Sequence, residues 1–327
     1  MRYLPVYILL LLVFSFCNRE TGTEPVDDNL PPSPPTGLYA YYASDGAVGL
    51  EWSPNPEPDV RIYYIHRAET NLLFSLYDST TNLYFIDAPL EYETIYSYKI
   101  VAGDQSGKKS NPSQEISVVP RNRYTPYPPR SVEISSRNRA GEKTIEIFWE
   151  PGNEYDIAGY NIYRSDVENF TPDSSYLQDF STDYYYEDTT DLELLKNYYY
   201  QITRIDKGGL ESDPSNEISD YILDNPVNLF PFDSQRLDYF SHFQFRGCSR
   251  EAAYKILISE NELGTDTQEI NFAAPDSPSL IEVPLENISL TPYRRYYWQI
   301  VAFTNNKTIP NSYSDKTYFI IEPGLQD

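Results

Sequence analysis

The sequence predicts an all-β chain built as three tandem β-sandwich modules. Three observations carry this reading. Aromatic residues are abundant, with 32 Tyr and 15 Phe among 327 residues, and such side chains favour pleated, half-buried strands. Prolines number 26, a density that interrupts helices and marks turns and strand edges. A block of residues also returns at intervals close to one hundred, about the size of one sandwich.

The first 16 residues read as an export signal. Arg2 supplies positive charge, and Leu4 to Phe14 is apolar apart from Pro5 and Tyr7. That run is shorter than the roughly 20 apolar residues needed to span a bilayer, so a signal peptide fits better. It closes on Phe14-Ser15-Phe16-Cys17, followed by polar Asn18-Arg19-Glu20. The segment resembles a bacterial lipoprotein signal, which implies a lipid anchor at Cys17 and attachment to a cell-envelope membrane. The alternative is an ordinary signal peptide in which Cys17 is incidental. Residues 17–33 are polar and proline-containing, too poor in apolar surface to fold, and read as a disordered tether.

The repeat sets the module boundaries. Trp52, Pro54, Asp59, Tyr63, Ile65 and Arg67 recur as Trp149, Pro151, Asp156, Tyr160, Ile162 and Arg164, an offset of 97. Tyr96, Tyr98, Ile100, Asp104, Gly107 and Ser110 recur as Tyr198, Tyr200, Ile202, Asp206, Gly209 and Ser212, an offset of 102. The difference falls between the blocks, where a loop absorbs it. Tyr296, Trp298, Ile300 and Ala302 mark a third unit, with Phe243 and Phe245 where a Trp is expected. A leucine precedes the first aromatic by six residues each time: Leu90 to Tyr96, Leu192 to Tyr198, Leu290 to Tyr296. The predicted modules are residues 34–120, 127–222 and 226–323. Short linkers between them predict a semi-rigid row.

Within each unit, apolar residues alternate with period two. Leu50 and Trp52 oppose Gly49 and Glu51, and Ile145, Ile147 and Trp149 oppose Glu146 and Phe148. This is the pattern of antiparallel strands with one face in a core. Ser44-Asp45-Gly46, Asp104 to Gly107 and Lys207 to Gly209 supply turns.

These features together resemble fibronectin type III domains. The paired prolines that open the first two units, the Trp, the Tyr-x-Ile-x-Arg strands and the Leu-x5-Tyr spacing carry the resemblance over residues 34–323. It implies an immunoglobulin-like sandwich in which Trp52, Trp149, Leu90, Tyr96, Leu192, Tyr198, Leu290, Tyr296 and Trp298 are core. It also implies a corner at each Leu–Tyr pair, with the Tyr hydroxyl capturing a backbone group.

Chemistry is sparse. The net charge of −24 gives no basic patch for phosphates, so nucleic acid is not an expected partner. His66 and His242 stand far apart in sequence without the convergent ligands a zinc site needs. Cys17 and Cys248 are the two cysteines; with Cys17 in the targeting segment there is no disulfide framework, and Cys248 reads as a small buried hydrophobe. No nucleophile elbow or phosphate loop occurs. Glu187, Asp188, Asp191 and Glu193 form the densest acidic cluster, read as a solvated turn, with calcium as the sharper reading. No catalytic, cofactor or metal residue is assigned.

Tyrosine runs are the remaining signal. Alternate residues of a strand point to opposite faces, so runs such as Tyr184 to Tyr186 must place some rings outward. Tyr41, Tyr42 and Tyr185 are the candidate binding surface. The expected function is a non-enzymatic envelope lipoprotein, structural or binding an envelope or extracellular protein, with carbohydrate binding as the alternative.

Overall fold

A computed structural model describes residues 29–272, 280–285, 288–304 and 307–324. The expected signal peptide, Cys17 and the start of the tether lie outside the described residues. The described residues contain strands and no helix. The chain divides into two compact units, Met1–Arg121 and Asn122–Asp327.

The first unit holds one sandwich. Its strands are β1 (Tyr39–Ser44), β2 (Ala47–Glu51), β3 (Val60–Glu69), β4 (Ser75–Thr80), β5 (Tyr84–Asp87), β6 (Tyr96–Asp104) and β7 (Ile116–Val118). They form a three-stranded sheet β1-β2-β5 and a four-stranded sheet β4-β3-β6-β7. The alternation explains the pairing. Val48 and Leu50 of β2 and Tyr63 and Ile65 of β3 are buried, and Tyr98 and Ile100 of β6 join them in one core with Trp52. Trp52 meets Tyr63 edge-on at 5.4 Å between ring centres. Full burial of such a side chain contributes on the order of 2–3 kcal/mol.

The second unit holds two cores. Its first seven strands are β8 (Glu133–Arg139), β9 (Glu142–Phe148), β10 (Ile157–Ser165), β11 (Leu177–Ser181), β12 (Tyr185–Asp188), β13 (Asn197–Asp206) and β14 (Ile218–Tyr221). They repeat the first arrangement, with β8-β9-β12 facing β11-β10-β13-β14. Trp149, Tyr160, Ile162, Tyr200 and Ile202 fill the interior.

The remaining strands are β15 (Val227–Phe230), β16 (Gln235–Leu237), β17 (His242–Arg246), β18 (Ala253–Ser259), β19 (Gln268–Phe272), β20 (Leu280–Pro284), β21 (Arg295–Phe303), β22 (Ser312–Tyr313) and β23 (Thr317–Ile321). Sheet β15-β17-β20 faces a sheet containing β19, β18, β21 and β23. Phe243 and Phe245 are fully buried here, and Phe243 packs on Trp298 at 4.9 Å. All-β tandem sandwiches of the fibronectin type III pattern are therefore the fold of this chain.

The corner recurs in every sandwich. Tyr96 accepts from the Glu91 amide at 3.1 Å, Tyr198 from Glu193 at 2.8 Å and Tyr296 from Thr291 at 2.6 Å. Leu90 and Leu192 are buried beside it, whereas Leu290 is half-buried against the third core.

The segment 223–225, between the second and third predicted modules, is part of a tight joint inside the second unit. Leu223 is fully buried in the third core. Strand β8 meets β22 in parallel at Asn138 and Ser312, so one sheet runs through both sandwiches. Asn311 donates to Tyr221 O at 2.8 Å and accepts from the Leu223 amide at 2.8 Å. Asn138 Nδ2 donates to Leu223 O at 2.9 Å. Buried backbone groups need such partners, and side-chain amides here replace the solvent a free linker has.

Candidate functional site

The repeated residues are scaffold by position. Trp52, Trp149, Tyr96, Tyr198, Tyr296 and Trp298 are all at most 5 % exposed, so none presents a ring to a ligand. The candidates that do reach the surface are on β1 of the first sandwich and β12 of the second.

In β1, Tyr39, Tyr41 and Tyr42 are all exposed, while Ala40 and Ala43 pack against the core. Simple alternation cannot do this. The register slips between Ala40 and Tyr42, so that Tyr41 is an extra residue and Tyr42 pairs with Gly49. A bulge of this kind sets two residues against one on the partner strand and re-aims a side chain. Two consecutive tyrosines thereby share one face, contrary to the alternation expected along the run.

Cross-strand pairing builds a surface around them. Tyr39 pairs with Glu51 and Tyr42 with Gly49; on the other side of β2, Tyr84 pairs with Glu51 and Ile86 with Gly49. One row is therefore Tyr39–Glu51–Tyr84, and the next is Tyr41 and Tyr42, Gly49 and Ile86. Tyr39 donates to Glu51 Oε2 at 2.7 Å, and that carboxylate holds the Tyr39 phenol above its ordinary pKa. Tyr42 donates to Asp45 Oδ2 at 3.1 Å.

Gly49 is what lets Tyr41 lie down. A Cβ built there would meet Tyr41 Cζ at 2.4 Å and its hydroxyl at 2.7 Å. The ring therefore occupies the space a side chain would take, and it is still 51 % exposed.

Tyr185 sits on the matching sheet of the second sandwich. It pairs with Phe148 across β9 and β12, their rings 4.8 Å apart. Burial, with Glu146 and Glu187 adding negative charge, pushes its phenol up to about 12. An Arg137–Glu146 ion pair shares the neighbourhood. Tyr185 is half-buried, a weaker platform than Tyr41. Tyr84 and Ile86 escaped the sequence reading. The signal for them was the pairing of β5 with β2, which alternation within one strand does not reveal.

In the acidic cluster that begins within β12, Glu187, Asp191 and Glu193 are exposed, as a solvated turn requires, and one member departs from that reading. Asp188 is fully buried rather than part of a solvated turn. Arg164 donates to it at 2.7 Å, as does Tyr200 at 2.7 Å. Among the described residues, no group of three or more His, Cys, Asp or Glu is placed to hold a metal ion. His66 lies on β3, where burial and then Lys109 lower its pKa. His242 contacts Ser241 and Gln244. Cys248 is fully buried, and burial pushes its thiol up to about 12.

No family model matches the chain. Exoglucanase B of Cellulomonas fimi is 25% identical over 151 residues, 44% of this chain and 13% of that protein. The chain thus corresponds to a small part of that relative's length. Among solved structures, the FN1–FN3 domains of chicken CNTN1 cover 90% of this chain and 100% of their own, at 18% identity and a TM-score of 0.40. The twitchin kinase region of C. elegans matches at 24% identity and a TM-score of 0.26, over 30% of this chain and 18% of its own.

Proposed function

We propose that the chain is a non-enzymatic binding module of the cell envelope, attached to the membrane by a lipid at Cys17. The observation that carries this is the division of its aromatic residues. The repeated set fills three solid interiors, and a second set stands on an outward sheet face. Small sandwiches packed in this way place binding groups on faces and edges rather than in deep clefts.

Two ligand classes use such a surface. A structural or protein-adhesion role rests on repetition and the tether. Carbohydrate binding is favoured by one specific feature, the row of exposed tyrosine rings flanked by carboxylates on β1, β2 and β5. The similarity of part of the chain to a protein named for action on glucan supports the same reading.

The experiment is affinity capture by the full chain, with an envelope extract and a glycan panel offered in parallel. Retention of glycan without hydrolysis supports the carbohydrate reading. Retention of one envelope protein and no glycan supports adhesion. Release of new reducing ends refutes the non-enzymatic reading. Intact-mass analysis of the native N-terminus tests the anchor: a diacylglycerol-sized increment on Cys17 is expected, and an unmodified cysteine contradicts it.

A further inference from the structure

The outward face of β1-β2-β5 in the first sandwich combines features that narrow its ligand. Tyr41 rests on Gly49 and keeps about half of its surface exposed. Tyr84, two strands away, is 53 % exposed. The Tyr41 ring lies over Gly49 of β2, and Gly49 and Tyr84 are diagonal neighbours on adjacent strands, a separation of about 7–8 Å at the backbone. Rings so spaced can contact successive units of an extended polymer lying across the strands.

Hydrogen-bonding character decides which polymer. The ionisable groups sharing these rows are carboxylates: Glu51 in the middle of the face, and Asp45 at the β1–β2 turn. An ionised carboxylate only accepts, so the ligand must bring donors. A polyanion brings none at its charged groups and meets repulsion from a chain of net charge −24. A sugar chain brings hydroxyl donors on its edge and aliphatic C–H groups on its faces. Pyranose rings with equatorial substituents present the flattest C–H face to an aromatic ring. A protein hot spot would be expected to add aliphatic anchors in a pocket, whereas Ile86 is the one aliphatic side chain in these two rows.

We propose that this face binds a neutral, extended glycan of β-linked pyranose rings, with Tyr41 and Tyr84 stacking on the sugars and Glu51 accepting from their hydroxyls. The proposal rests on the carbohydrate reading above and names the class and the residues. Tyr39 is a positioning residue: its hydroxyl is bonded to Glu51 and orients that carboxylate. Gly49 has the same kind of role, since it sets where the Tyr41 ring lies.

Affinity electrophoresis of the full chain tests this, in gels containing hydroxyethylcellulose, xylan, ethylene glycol chitin or polygalacturonate. Retardation is expected in at least one of the three neutral polymers and not in polygalacturonate. Tyr41→Ala and Tyr84→Ala should each weaken that retardation about tenfold, the scale of a contact worth somewhat over 1 kcal/mol. Tyr41→Phe should retain it. Gly49→Ala should weaken it as Tyr41→Ala does, although no ring is removed. Tyr239→Ala, an exposed tyrosine of the second unit, should leave it unchanged. Circular dichroism on each variant confirms that the fold is kept.

Retardation in none of the neutral polymers overturns the proposal, as does retardation indifferent to both alanine variants. Capture of an envelope protein through Tyr84, without glycan, overturns it in favour of adhesion. Hydrolysis of a retained polymer refutes the non-enzymatic reading while leaving the assignment of this face intact.

Discussion

Arg164 on β10 reaches across the second sandwich to Asp188 on β12, Nη1 to Oδ2, at 2.7 Å. The first sandwich makes the same connection between Arg67 and Asp87 at 3.0 Å. In each case a tyrosine joins the carboxylate from the same sheet as the arginine, Tyr200 or Tyr98, at 2.7 Å. One carboxylate is thus held by two donors of the four-stranded sheet that faces it. The third sandwich has Trp298 at the position of those tyrosines and packs it on Phe243 instead.

Removing one partner of such a pair should be costly, because the other charge stays buried. Asp188→Asn is expected to lower the stability of its sandwich by about 3–5 kcal/mol. Replacing the carboxylate together with both donors, as Arg164→Met, Asp188→Leu and Tyr200→Phe, should recover most of that loss, because no buried polar partner is then stranded. Urea unfolding followed by circular dichroism measures both. A loss of under about 1 kcal/mol for Asp188→Asn, the range of an exposed pair, contradicts the cross-sheet role.

The corner tyrosines give a smaller and separable effect. Tyr198→Phe removes the hydroxyl that accepts from the Glu193 amide and keeps the buried ring. A net cost of about 1 kcal/mol is expected. Trp149→Ala, by contrast, empties the core and should cost about 3–5 kcal/mol. Equal losses for the two would contradict a corner hydrogen bond of this modest size.

Asn311→Ala should loosen the joint between the two sandwiches of the second unit. It strands the Leu223 amide and the Tyr221 carbonyl, both partnered by Asn311. An unsatisfied buried group costs about 1–3 kcal/mol. Hydrogen exchange at the Leu223 amide should accelerate, while amides of β10 and β13 keep their protection. Unchanged exchange at Leu223 would mean that the joint does not depend on this side chain.

Alkaline pH should destabilise the third sandwich. Burial raises Cys248 to about 12 and raises the Tyr254 phenol as well. For both groups the folded state holds the neutral form at a pKa above its unfolded value. Their stabilising contribution is therefore complete below the unfolded thiol pKa of about 8.5 and falls as pH rises towards the folded value. Urea midpoints recorded from pH 8 to 11 should decline steadily. In a Cys17→Ser chain, Cys248 is the remaining cysteine and should react with a thiol reagent only after unfolding. Rapid reaction at pH 8 in the folded chain would contradict this burial.

Much of the architecture was legible in the sequence. Alternation of apolar residues, punctuation by Gly, Asp and Pro, and the return of Trp, Leu and Tyr at fixed spacing are local properties of a chain. They determined strands, sandwiches and the interior aromatic residues, because period-two burial and core volume act residue by residue. Other features depend on which strands become neighbours, and only the tertiary structure decided them. The bulge that turns Tyr41 and Tyr42 to one side exists only against β2. Tyr84 joins their face only because β5 pairs with β2. Asp188 sits in an acidic stretch that reads as solvated, yet it is buried because Arg164 and Tyr200 arrive from another sheet to bond it. A carboxylate's solvation is set by its surroundings in space, and sequence neighbours alone do not report those surroundings.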